Sequence, residues 1–360
     1  MFCCLNCFQD EEIRAILSTH PKGRCDFCGS EDVPIYDLCK NEGLAQLFDG
    51  LLDIYKLKSD LPKSFPLEHT DLLKNYLLND WQIFSKDLKA EDIYRLIRAI
   101  CKRRFEEQPD LFNEPIGIRE INDIGFMNKH CILRQYLWED FVDGIIKQNR
   151  FHNNYINTNV LDLFLSYAVK ECKQGEIFYR SRVSENGRKF MPSDMGAPPF
   201  HCAKAGRINP EGIRVLYLSD SINTSLYEVR ARLLDYVTVG KFILKKTIKV
   251  IDFAGLNRIS PFFASQQDIS FVQYAVNFKY LKVIANEIAR PVRNGNTLEY
   301  LPTQYICDFV RSKNYDCIRY LSTVHQNGIN LAVFDPSVFE CVSTEMFDIT
   351  KIDYGYQKIS

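Results

Sequence analysis

Cys4-Leu5-Asn6-Cys7 and Cys25-Asp26-Phe27-Cys28 are two C-x-x-C pairs separated by 17 residues, and nothing else in the chain restricts its folding so tightly. One C-x-x-C turn brings two thiolates to a single ion. Two such turns complete a tetrahedral shell with no position left for water, which is the structural rather than the catalytic form of a zinc site. Cys4, Cys7, Cys25 and Cys28 are therefore expected to hold one structural Zn2+, with Cys3, Cys39 and His20 nearby as spare ligands. Gly29 follows the second pair and suits a knuckle turn that needs a backbone without a Cβ. A redox C-x-x-C would call for a βαβ pattern, which this region lacks. Asp10, Glu11, Glu12, Asp26, Glu31 and Asp32 would repel phosphate, so the module is expected to staple a fold rather than bind nucleic acid.

The chain holds 13 cysteines, an odd number, and they thin out after the first forty residues, so reduced thiols in the cytoplasm are expected rather than a disulfide framework. With 46% apolar and 25% charged residues the composition is that of a globular protein. Forty-five Lys plus Arg against 46 Asp plus Glu leave a net charge of −1, without the basic excess that drives sequence-independent nucleic-acid binding. No stretch approaches the roughly 18 apolar residues of a membrane span, and no membrane association is expected.

Pattern divides the chain into four parts. Residues 1–42 form the zinc module. Residues 43–168 carry amphipathic stretches such as Leu88 to Arg104 and Gln135 to Ile146, and are expected to be helical. Residues 169–345 switch to short β-rich runs: Ile177 to Val183, Val215 to Ser219, Thr238 to Leu244, Ile248 to Phe253, Cys317 to Leu321 and Asn330 to Phe334. Helical patterns at Ser221 to Leu234 and Ser270 to Ile288 interrupt them, and residues 346–360 are a tail. The fold class is α+β. Ser184 to Gly212 is a long Gly- and Pro-rich segment, and loops of this length inside a domain are usually functional. Its stretch Phe190 to Phe200 is expected to fold over a ligand.

Three polar residues stand out in the third part. Arg180 interrupts an apolar run just after Phe178 and Tyr179, Tyr217 sits inside an apolar strand, and Glu228 falls among Ile222, Leu226, Val229 and Leu233 on a helical pattern capped by Asp220 or Ser221. Taken singly, a strand-edge arginine is usually solvated and a helical glutamate usually pairs with a neighbour such as Arg232. Together, Phe178-Tyr179-Arg180, Gly206-Arg207-Ile208-Asn209-Pro210-Glu211-Gly212, Val215-Leu216-Tyr217-Leu218-Ser219 and Leu226-Tyr227-Glu228-Val229-Arg230 strongly resemble the RES domain, in order and at family-like spacing. Pro302-Thr303-Gln304-Tyr305-Ile306, Cys317-Ile318-Arg319-Tyr320-Leu321-Ser322-Thr323 and Asn330-Leu331-Ala332-Val333-Phe334 are similar to the family's carboxy-terminal half. Upstream, cysteine pairs followed by helices resemble more faintly the HEPN-like extension of longer RES proteins.

The resemblance implies an ADP-ribosyltransferase-like fold and an NAD-consuming activity, as in RES toxins of toxin-antitoxin pairs. It implies Arg180, Glu228 and Ser322 (with Thr323 as the fallback serine role) as catalytic residues, and Tyr179, Arg207, Tyr217, Asn209 and Gln304 as substrate-binding ones. The chemistry of these residues fits NAD+ as substrate. Guanidinium groups such as Arg180 and Arg207 grip a pyrophosphate, and an aromatic face from Tyr217 or Tyr179 holds a flat nicotinamide cation. A carboxylate at Glu228 stabilises an oxocarbenium-like ribose, and the nicotinamide leaves neutral without needing an acid. Ser322 is assigned to binding, since no adjacent histidine activates it, although His325 lies three residues away. The acceptor stays open between water, phosphate and a target protein. No G-x-G-x-x-G or P-loop pattern argues for a dehydrogenase or nucleotidase. The main rival is a HEPN-type RNA-binding or RNA-cleaving protein built on Arg14 and His20, whose placement between the cysteine pairs argues for chance. A homo-oligomer and an antitoxin or regulatory partner are the expected assemblies.

Overall fold

The computed structural model describes residues 1–290 and 297–352, so that residues 353–360 of the expected tail lie outside it. The chain begins with a three-stranded antiparallel sheet of β1 (Phe2–Cys4), β2 (Lys22–Gly23) and β3 (Val33–Asp37), in the order β1-β3-β2. Helix α1 (Glu11–Ser18) crosses between its strands and is capped by Asp10, whose carboxylate accepts the Glu12 and Ile13 N–H groups at 3.1 Å each. Helices α2 (Gly43–Leu52), α3 (Leu73–Asn79), α4 (Ala90–Ile100), α5 (Lys102–Glu107), α6 (Asp110–Asn113), α7 (Ile124–His130), α8 (Trp138–Lys147) and α9 (Thr158–Ser166) follow, with a short β-ladder of β4 (Lys56–Leu57) and β5 (Ile116–Gly117) among them. The expected helix from Leu88 to Arg104 is two helices, broken at Cys101.

The chain falls into two compact units. The first gathers Met1–Leu137, Asn154–Leu161 and Arg258–Leu281. The expected segments 1–42, 43–168 and 169–345 therefore do not coincide with compact units, because residues 258–281 return to the amino-terminal one. That segment carries α11 (Pro261–Ser265) and the first half of α12 (Phe271–Ala289), and it supplies aromatic side chains to a core already rich in them. Trp81 stacks on Tyr274 with centroids 5.6 Å apart and donates Nε1–H to the Tyr55 hydroxyl at 2.7 Å, while Phe48 meets Phe262 edge-on at 5.3 Å. The fully buried Asn277 accepts the Ile132 N–H at 2.6 Å and donates to the His130 carbonyl at 2.7 Å. Trp81→Ala is expected to cost about 3–5 kcal/mol, read as a lower urea midpoint for the helical circular-dichroism transition.

The second unit holds Trp138–Asn153, Asp162–Asn257 and the described residues from Lys282 onward. Its eight strands are β6 (Val169–Cys172), β7 (Ile177–Val183), β8 (Leu216–Ser219), β9 (Tyr236–Leu244), β10 (Ile248–Asp252), β11 (Cys317–Leu321), β12 (Ile329–Val333) and β13 (Phe339–Asp348), ordered β13-β9-β7-β8-β12-β11-β10-β6. Every pairing is antiparallel except β10 with β11. Phe178, Leu216, Leu218, Phe242, Leu244, Leu331 and Val333 form its buried core. Helix α10 (Ile222–Glu228) starts on Ser221, whose side chain accepts the Thr224 N–H, and α13 (Leu301–Ser312) carries Thr303 and Gln304. The helix expected from Ser221 to Leu234 stops at Glu228: Arg230 and Leu234 take left-handed backbone angles (φ 52° and 70°), which end a right-handed helix. No helix among the described residues is long and apolar enough to cross a membrane.

Candidate active site

Strands β7 and β8 pair through one register position only, Tyr179 with Ser219, whereas β7 pairs with β9 along its whole length. A sheet joined so briefly leaves a seam. A cavity of about 370 Å³ opens there, within the size range of small-ligand sites. The register runs one row across four strands: Tyr179 faces Ser219, Ser219 faces Asn330, and Asn330 faces Tyr320. All four line the cavity, because paired residues share a face of the sheet. On the same strands the intervening Leu216, Leu218, Leu331 and Val333 go to the core.

Helix α10 brings Ser225 and Glu228 to this cavity, one turn apart. Ser225 donates to the Ile222 carbonyl at 2.8 Å, so Ser181 is the donor in the 2.7 Å hydrogen bond between their hydroxyls. Glu228 makes no ion pair with Arg232 among the described residues. Its Oε1 accepts instead from Ser322 Oγ at 2.7 Å and from Asn330 Nδ2 at 2.6 Å, leaving Oε2 without a hydrogen bond among the described residues. Ser322 Oγ itself accepts the N–H groups of Val324 (3.3 Å) and His325 (3.1 Å), so its one proton is directed at the carboxylate. His325 is not positioned as its base. Thr224 Oγ1 donates to Asp220 at 2.8 Å, which makes His325 Nδ1 the donor to Thr224 at 3.0 Å, and the ring stacks on Tyr227.

Arg180, on β7, lines the same cavity as Glu228. Its Nη1 is buried and has no hydrogen-bond partner among the described residues, and burial lowers its pKa to about 10, with the like charge of Arg182 adding to the fall. At neutral pH it is still a cation, and a buried cation without an acceptor is costly unless a ligand supplies one. Arg207 and the exposed Lys204 also border the cavity, so among the described residues its wall carries three cations against one carboxylate.

Several expected contacts take another form. Arg207 lines the cavity but its Nη1 donates to the Ile288 carbonyl at 3.1 Å and to that of Ala289, so this guanidinium is already held on the last turn of α12. Asn209 is buried with both side-chain ends engaged: Oδ1 accepts from the Tyr217 hydroxyl at 2.6 Å and Nδ2 donates to the Lys204 and Ile213 carbonyls at 3.0 Å. Gln304 is absent from the cavity wall and donates to the Gly206 (2.7 Å) and Asn209 (3.0 Å) carbonyls. Both residues thus shape the 204–213 loop from behind. Tyr217 is likewise fixed by its hydroxyl, whose pKa burial pushes up. A Cβ on Gly206 would lie 3.1 Å from Asn209 Oδ1 and 3.3 Å from the Tyr217 hydroxyl, too close for an unadjusted loop. The expected lid, Phe190 to Phe200, does not border the cavity: Met195 is fully buried in the sheet core, Phe190 and Ala197 pack against it, and Arg182 lies 4.3 Å over the Phe190 ring. Burial of these apolar side chains ties the segment down, and residues 204–209 form the wall instead.

Ser219, Asn330, Tyr320, Tyr300 and Lys204 line the cavity without having been singled out by the sequence. Asn330 had a signal: asparagine is depleted from strands, and here it opens an apolar run and is buried.

In the amino-terminal unit the sulfurs of Cys4, Cys7, Cys25 and Cys28 all lie within 4.8 Å of one another. The Sγ separations of 3.9 Å (Cys4–Cys7), 3.4 Å (Cys4–Cys28) and 3.5 Å (Cys7–Cys25) bracket the edge of about 3.8 Å that four sulfurs at ~2.3 Å from one ion would make. The donor set and its spacing fit Zn2+. Phe27 and Cys28 N–H groups point at Cys25 Sγ at 3.4 and 3.5 Å, and Gly29 takes φ +72°, the turn a knuckle needs. Two of the spare ligands lie elsewhere: Cys39 faces the amino terminus, and His20 Nδ1 meets the Ile16 carbonyl at 3.0 Å, while Cys3 is buried beside the cluster but is not one of its four sulfurs. Arg14 donates to the Leu5 and Phe8 carbonyls at 2.8 and 3.0 Å, a bracing contact that accounts for it without RNA chemistry.

Residues 177–352 match the family model described as the RES domain. Among solved structures, the chain is similar to the crystal structure of the M. tuberculosis MbcT-MbcA toxin-antitoxin complex, at 14% identity over 53% of this chain and 91% of that one, with a TM-score of 0.31. No curated protein matches the chain. The Arg180, Tyr217, Glu228 and Ser322 motifs all fall inside the matched segment, and residues 177–352 of this chain are thereby identified as a RES domain.

Proposed function

We propose that the RES domain consumes NAD+ by breaking the bond between nicotinamide and ribose in the β7/β8 cavity, as the enzyme of a toxin-antitoxin pair. The single observation that carries this reading is the buried Nη1 of Arg180, without an acceptor among the described residues, in one cavity with a carboxylate held by two donors, Glu228. The guanidinium and Lys204 offer charge to the pyrophosphate, and Tyr179 or Tyr300 offers a ring face. As the C–N bond breaks, its electron pair stays on the nicotinamide nitrogen, which becomes neutral. The positive charge passes to the ribose and is met by Glu228. An acceptor oxygen then bonds to the anomeric carbon; a water oxygen loses a proton to solvent, whereas an anionic phosphate oxygen has none to lose.

The cations in the wall favour an anionic acceptor such as a phosphate oxygen over a neutral one. Purified protein is expected to release nicotinamide from NAD+, giving ADP-ribose in water and ADP-ribose-1″-phosphate when phosphate is added. Arg180→Ala is expected to lower kcat/KM for NAD+ by roughly 100-fold and to restore growth to cells that tolerate the wild type poorly. Intact NAD+ after incubation, or equal growth of the two strains, overturns the reading. A separate antitoxin or regulatory protein is proposed as the partner of this chain. Residues 1–168 are proposed as the part that docks or restrains rather than reacts.

A further inference from the structure

We infer that Asn330, with Ser219 behind it, is the positioning residue that aims Glu228, an inference that rests on the NAD-consuming reading above. Asn330 is 3% exposed, and an amide so deeply placed must satisfy both of its ends. Its Oδ1 accepts from Ser219 Oγ at 2.8 Å and its Nδ2 donates to Glu228 Oε1 at 2.6 Å. The Ser219 hydroxyl decides which end of the amide is which: a donor on one side leaves the NH2 group for the carboxylate. Ser219 is itself buried and sits opposite Asn330 in the sheet register, so the pair is held by the backbone ladder rather than by flexible chain.

The consequence is geometric. Glu228 is the last residue of its helix and is exposed on its own account, so α10 alone would leave its side chain free to rotate. Ser322 and Asn330 both bind Oε1, one from the turn after β11 and one from β12, and two donors from different elements fix the plane of the carboxylate. Oε2 is then the oxygen presented to the cavity. Ser322 belongs to the motif from which the family takes its initial; Asn330 supplies the second constraint, and unlike Ser322 it is anchored inside the sheet.

The test uses the full-length protein and three variants. Asn330→Ala removes the donor and is expected to lower kcat by roughly 10- to 100-fold with KM for NAD+ nearly unchanged, because the carboxylate acts on the reacting ribose more than on binding. Asn330→Asp places a second carboxyl at the same spot. Two carboxylates that close cannot both ionise without cost, so at low pH a shared proton rebuilds the bridge, and as pH rises the bridge is lost. Activity of this variant relative to wild type is therefore expected to fall as pH goes from about 5 to 8, a dependence Asn330→Ala lacks. A residue that merely supported the fold would not produce that difference. Should either variant fold poorly by circular dichroism, Ser219→Ala keeps the question answerable, since it frees the amide to flip and is expected to lower kcat several-fold. Wild-type protein that leaves NAD+ intact, or Glu228→Ala that still consumes it, overturns the reading and this inference together. Wild-type activity that depends on Glu228, alongside Asn330 and Ser219 variants with wild-type kcat and pH profiles, overturns this inference alone.

Discussion

Glu228→Gln is expected to reduce NAD+ turnover by a factor of about 1,000 while leaving the domain's stability within roughly 1 kcal/mol of wild type. The amide keeps an oxygen where Oε1 now accepts from Ser322 and Asn330, so the hydrogen bonds that hold the side chain at 2.7 and 2.6 Å survive the substitution. Only the negative charge is lost. Glu228→Ala removes both the charge and the acceptor, leaving the buried Asn330 amide without its partner, and is expected to lose stability as well as activity. A comparison of the two by nicotinamide release and by thermal melting separates electrostatic stabilisation of the ribosyl cation from simple support of the cavity wall. Near-wild-type turnover in Glu228→Gln would show that a carboxylate charge is not used.

Cys7→Ser is expected to unfold the amino-terminal sheet. Cys7 is fully buried, and with Cys4, Cys25 and Cys28 it completes the sulfur cluster. Structural zinc binds such sets with an apparent ~10–16 kcal/mol, comparable to the whole stability of a domain, and a chain lacking one ligand forfeits much of it. The elements at risk are β1, the single 3-10 turn at Leu5–Cys7 and the C-x-x-C turn at 25–28, since β1 ends in Cys4 and pairs with β3 through Cys3 and Cys4. One zinc per chain should be measured in the wild type, and chelator should shift the melting of this unit as the variant does. Cys39→Ser lies outside the cluster and is expected to change neither. Wild-type protein free of zinc and indifferent to chelator would sink the staple.

The parts of the fold that depend on neighbours in the chain are legible in the sequence. Ile177 to Val183 and Cys317 to Leu321 are strands with the bounds their alternation indicates, because β-branched and aromatic side chains favour extended backbone over a handful of residues. The cysteine spacing located the cluster for the same reason: each four-residue C-x-x-C turn brings its own two thiols together whatever follows. Helix α10 was legible at its start, where Ser221 caps it, and not at its end, where Arg230 takes a left-handed angle that no local preference demands. The family motifs drew attention to Arg180, Glu228 and Ser322, but not to how they are held.

What the amino-acid order alone determined is the α+β class, the zinc-type cluster and the identity of a RES domain over residues 177–352. Tertiary structure decided that residues 258–281 pack with the amino-terminal unit, that β7 and β8 touch at one position, and that Asn330 lies in a row with Tyr179, Ser219 and Tyr320. It also turned Arg207, Asn209 and Gln304 toward backbone carbonyls, leaving the orphaned nitrogen to Arg180. Glu228 meets Ser322 and Asn330 across 94 and 102 residues of chain. Local preferences reach a few residues at most, whereas strand register across such distances is chosen by burial of the whole apolar face at once, a quantity no short stretch of sequence contains.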